Sequence, residues 1–108
     1  SAFSSFPDVP FPADSFIDLS ETKVLGSGEM WIGSLSFTTP YNASRVFDFY
    51  MTEMPKYKWT EVAIVRAKLS QMTYFRQNRA IQILIEIIGD NKSQVTITAI
   101  PNQSAVTE

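Results

Sequence analysis

The chain has 108 residues, a formal charge of -2, 44% hydrophobic and 13% aromatic residues, and neither cysteine nor histidine. That length suits one domain with its own core, and so weak an acidic balance excludes the cationic field on which duplex nucleic-acid binding relies. Without cysteine there are no disulfides, thiolate zinc sites or thiol nucleophiles; without histidine the usual general base and the commonest metal ligand are gone. The composition therefore predicts a protein that is not an enzyme, with no metal and no cofactor.

Residues 1–14, SAFSSFPDVPFPAD, carry Pro7, Pro10 and Pro12, which fix φ and predict an extended lead-in or linker. Two readings stand: a spacer between an anchor and the domain, or an arm lying on the fold so that Phe3, Phe6, Val9 and Phe11 find cover. The opening Ser1-Ala2-Phe3-Ser4 has no initiator methionine and no signal-peptide pattern, so a preceding segment is expected to have been removed. No apolar run approaches the ~20 residues of a membrane span.

A single domain is expected over residues 15–101. Phe16 to Leu25 reads as a first strand, closed by Gly26-Ser27-Gly28. Glu29 to Thr38 alternates, with Trp31, Gly33, Leu35 and Phe37 on one face, and forms a hairpin with the first strand. The period then changes. Thr39 or Asn42 can cap a helix running to Met54, with Ala43, Val46, Phe47, Tyr50 and Met54 in one apolar stripe and Pro55 as the stop. Strands follow from Trp59 to Arg66, Gln71 to Arg76, Arg79 to Ile88 and Ser93 to Ile100, with turns at Gln77-Asn78 and at Gly89 to Lys92. Ile81, Ile83, Ile85 and Ile87 alternate onto one face and offer a floor for the helix stripe. Residues 102–108 form a polar tail. The predicted fold is α+β, a two-layer sandwich of order β-β-α-β-β-β-β with one helix on an antiparallel sheet.

The stretch FDFYMTEMPKYKW, residues 47–59, invites a nucleic-acid reading through Lys56, Tyr57, Lys58 and Trp59. Two lysines in an acidic chain give too little charge density, and the stretch reads better as the corner between helix and strand. Phe49 and Met51 fit the helix stripe poorly, so this flank is covered by the arm or presented to a partner. Phe49, Met51, Phe3, Phe6 and Phe11 are accordingly the candidate protein contacts. Asp48 and Glu53 do not face each other, and Asp90-Asn91 lacks the ligand count of a calcium loop. Three Asn-x-Ser sequons, at Asn42, Asn91 and Asn102, read as chance. An alternative function is a cavity for a small apolar ligand between helix and sheet, lined by Trp31, Phe37, Tyr50, Ile83 and Ile85. Self-association through a sheet edge is another open mode, because no device protecting an edge is evident in the sequence.

Val46, Phe49-Tyr50, Glu53-Met54-Pro55 and Trp59, then a hairpin and Arg79-Ala80-Ile81-Gln82-Ile83, resemble the "FY…eMP…GW" helix end and following strands of small bacterial envelope lipoprotein domains. Met72, Tyr74 and Arg79 approximate the second part of that pattern, and Pro7 to Pro12 resembles the segment before such domains. Two departures stand out: Lys58 replaces the glycine before the tryptophan, and the lipid-bearing cysteine is missing. The resemblance implies a periplasmic domain, held at a membrane by a lipid anchor or a segment before Ser1. It implies action through other envelope proteins, within a membrane-associated assembly or secretion complex.

Overall fold

The computed structural model describes residues 2–26, 28–77 and 79–101. The polar tail, with the Asn102 sequon, lies outside the described residues, as do Ser27 and Asn78 of the two expected turns. Among the described residues the strands are β1 (Phe16–Ile17), β2 (Lys23–Leu25), β3 (Ile32–Thr39), β4 (Thr60–Val65), β5 (Leu69–Arg76), β6 (Arg79–Gly89) and β7 (Lys92–Pro101). They form one antiparallel sheet in the order β1-β3-β7-β6-β5-β4, with β2 also paired to β3. The helix α1 (Ala43–Glu53) packs on one face, against β6 and β7. The fold is α+β, as the periodicity predicts.

Local chemistry explains the helix boundaries. Asn42 is the N-cap, its side-chain oxygen accepting the Arg45 N–H at 2.9 Å, while Pro40 stands before the helix. The α-helical part ends at Glu53, and Pro55 sits in the first turn of a 3₁₀ segment over Met54–Tyr57. Lys58 closes that segment at φ 70, in the left-handed region, and its N–H returns to the Met54 and Pro55 carbonyls. Opposite the N-terminal end, Arg66 holds the helix through the Ser44 hydroxyl at 2.7 Å and Asp48 at 3.2 Å, its guanidinium 4.1 Å over the Phe47 ring.

Inward residues of the sheet and the helix stripe meet in one core. Leu35, Phe37, Ile81, Ile83, Ile85, Ile97, Tyr50, Met54, Met72 and Trp31 are all fully buried. Two expectations need correction. The predicted first strand is two short strands separated by a 3₁₀ turn at Leu19–Glu21, because its polar side chains bond locally. Asp18 accepts from the Ser20 backbone and hydroxyl, and Thr22 donates to the Asp18 carbonyl while receiving the Ser36 N–H. Ile87 keeps the parity of the isoleucine face, opposite buried Ser93, but is 55% exposed near the end of β6, where the β6–β7 pairing becomes irregular beyond it.

Both sheet edges also carry protection that single-strand patterns concealed. β4 has a bulge between Glu61 and Ala63, and the outer side of β3 is met by strands of two and three residues. Gly33 permits that second pairing. Its φ is 124, and a Cβ there would collide with the Lys23 carbonyl oxygen across the ladder.

Candidate functional site

The arm ahead of β1 lies on the same side of the sheet as the helix and joins the core. Phe3 and Phe11 stack at 4.3 Å and both meet Phe37 edge-on, at 5.8 and 5.4 Å; Phe6 meets Trp31 at 5.0 Å. Phe6 is buried, and Phe3 and Phe11 are partly so. Three of the five sequence-derived contact residues therefore point into the fold.

Asp8, between those aromatics, is the centre of a buried polar cluster. One carboxylate oxygen accepts the Trp31 indole N–H at 3.1 Å, and the other is ion-paired with Arg79. The Asp8 carbonyl accepts the Trp59 indole N–H at 2.8 Å. Arg79 also donates to the Trp31 carbonyl at 3.1 Å, and its guanidinium lies 5.4 Å from the Trp59 ring centre. Next to it, Arg76 bonds Glu29 and the Tyr57 carbonyl, and its guanidinium lies 5.5 Å from the centre of the same Trp59 ring. A buried carboxylate needs this many donors, because desolvating it unpaired is prohibitive.

The cluster was missed from sequence, although a signal existed. Arg79 shares the inward parity of Ile81, Ile83 and Ile85, so its charge had to meet a buried acid. Asp8 is the acid inside the apolar run FPDVPF.

Of the helix flank, Phe49 is half-buried, edge-on to Tyr50 at 5.0 Å, and borders a shallow depression of about 310 Å³ shared with Pro12, Ala13 and Tyr41. The end of the arm thus reaches Phe49. Met51 stays 40% exposed. The five residues expected to line a ligand cavity, Trp31, Phe37, Tyr50, Ile83 and Ile85, are brought together but are all fully buried. Five depressions of about 200 to 500 Å³ at the surface are lined by other residues.

The open face of the sheet presents rows set by register. Thr73, Gln82, Thr98, Ser34 and Lys23 lie side by side across β5, β6, β7, β3 and β2, a polar row in which Ser34 and Thr98 hydroxyls bond at 3.1 Å. Two residues along, the same five strands contribute Phe75, Ala80, Ile100, Ile32 and Leu25. Phe75 pairs with Ala80, Ala80 with Ile100, and Ile32 with Leu25; Ile100 and Ile32 lie one residue beyond the Ala99–Gly33 pair. This apolar row spans about 19 Å at ordinary strand spacing. Leu25, Ile100 and Phe75 are 72%, 51% and 41% exposed, and the row borders a groove of about 500 Å³.

Among the described residues no three acidic side chains gather as a metal site. Burial pushes the Tyr50 phenol well above its usual range, and burial followed by the Glu61 charge pushes Tyr74 up to about 12, so both are neutral at physiological pH. No protein-family model, curated protein or solved structure significantly matches the chain.

Proposed function

We propose that the domain is a non-catalytic module of the bacterial cell envelope that binds another envelope protein through the open face of its sheet. The carrying observation is the apolar row Leu25, Ile32, Ile100, Ala80 and Phe75, bounded by a polar row. An exposed apolar strip with a polar border is the usual composition of a protein contact. Support for the envelope setting comes from the helix end. Lys58 occupies the left-handed conformation that the glycine of the resembling pattern adopts without strain. On this reading the protein is periplasmic and membrane-anchored.

Site-specific photocrosslinking in native membranes tests it, with benzoylphenylalanine placed in turn at Leu25, Ile100, Gln82 and Met51. A discrete adduct with one envelope protein from Leu25 and Ile100, absent from Gln82, is the expected result. An adduct from Met51 alone would move the contact to the helix flank, and no adduct at any position would refute the proposal.

A further inference from the structure

The arm is fastened to the fold as a bound peptide is fastened to a receptor. Two backbone-to-backbone hydrogen bonds, Phe6 to Phe3 and Val9 to Phe6, lie within the arm. Its hold on the body is made by inserted rings and by the Asp8 cluster. There Trp31, Trp59 and Arg79, drawn from the start of β3, the helix corner and the start of β6, converge on one residue. Pro7 and Pro10 limit the shapes the free segment can adopt, which lowers the ordering cost of docking. The link to β1 is a bend in which Asp14 takes φ 60 and the Ser15 hydroxyl donates to the Pro12 carbonyl at 2.7 Å.

We infer that the groove of Trp31, Phe37, Trp59 and Arg79 is a peptide-binding site for segment 3–11, and that the same segment of a second copy can fill it in trans. A reciprocal exchange gives a closed, two-fold dimer in which the contacts between segment 3–11 and its groove are kept and only the bend at residues 12–15 must open. The competing arm in cis acts at an effective concentration in the millimolar range, so the monomer prevails until the chain is concentrated or its own arm is displaced. Asp8 sets specificity, since an arm lacking its carboxylate would leave Arg79 buried without a counter-charge.

A labelled peptide of residues 1–14 is titrated into the full-length wild-type chain and into full-length Asp8→Ala, with peptide anisotropy and the emission of Trp31 and Trp59, the only tryptophans in the sequence, as readouts. Asp8→Ala should bind the peptide at least ~10-fold more tightly than the wild type, because its groove is poorly guarded by its own arm. A peptide carrying Asp8→Asn should bind ~100-fold more weakly than the native one. Equal binding of the two peptides, or no binding to folded Asp8→Ala, would overturn the inference.

Should Asp8→Ala fail to fold, the wild-type chain is refolded at millimolar concentration and its mass measured by light scattering. A dimer fraction that is dissociated by excess native peptide but not by the Asp8→Asn peptide is expected. A chain that stays monomeric, or a dimer indifferent to the peptide, refutes arm exchange.

Discussion

Replacing Tyr50 by phenylalanine is expected to strengthen the protein. Tyr50 is fully buried on the inner side of α1, and its hydroxyl has no hydrogen-bond partner among the described residues. Tyr50→Phe removes that one oxygen and leaves the ring packing intact. A buried hydroxyl without a partner costs on the order of 1–3 kcal/mol relative to water, so its removal should raise stability by about 1–2 kcal/mol. With a urea dependence of about 2 kcal/mol/M, the middle of the range for a small domain, the unfolding midpoint should rise by roughly 0.5–1 M at unchanged slope. Tryptophan emission during urea titration reads this directly. Alkaline titration gives a second axis. A phenol whose folded pKa is raised contributes stability that is intact below its unfolded pKa near ~10 and is lost as pH climbs above it. Tyr50→Phe should therefore also move alkaline unfolding to higher pH, leaving Tyr74, pushed up to about 12, as the remaining titrating phenol of the core. A loss of about 1 kcal/mol or more, the usual effect of a core substitution, would mean that the hydroxyl is satisfied and the reasoning fails.

Substitutions at three further positions probe the backbone. Gly33→Ala should destabilise by about 3 kcal/mol or more, because φ 124 excludes a side chain and the added methyl meets the Lys23 carbonyl; loss of amide protection in β2 before the rest of the sheet would locate the damage. Lys58→Gly should stabilise by about 0.5–1 kcal/mol, whereas Lys58→Val should destabilise by at least about 1 kcal/mol, and thermal unfolding of the pair distinguishes left-handed strain from loss of the lysine itself. Asn42→Ala should cost about 1 kcal/mol through the lost cap on the Arg45 N–H, and Asn42→Asp should restore it.

The α+β class was legible because two signals depend on neighbours in sequence alone. Ile81, Ile83 and Ile85 alternate inward, and Val46, Phe47, Tyr50 and Met54 keep the helical spacing between the Asn42 cap and Pro55. What escaped depends on partners far along the chain. Asp8 and Arg79 are 71 residues apart, so the inward parity of Arg79 calls for a buried acid without saying which one until the arm is known to lie on the sheet. The apolar row is hidden for the same reason. Phe75, Ile100 and Leu25 each occupy an ordinary outward position in a strand, and only the register of five strands lines them up. The split between β1 and β2 was obscured by competition within the segment, where Asp18 and Thr22 prefer their own backbone to the ladder.

The place of β7 in the sheet has a consequence for synthesis. The last of the described strands is inserted between β3 and β6, so the sheet is joined at its middle only when Lys92 to Pro101 is available. Until then a nascent chain holds two separate pieces, β1 to β3 and β4 to β6, each with a long apolar edge waiting for a partner. Until β7 pairs with both, such a chain is prone to pairing with its neighbours through these open edges.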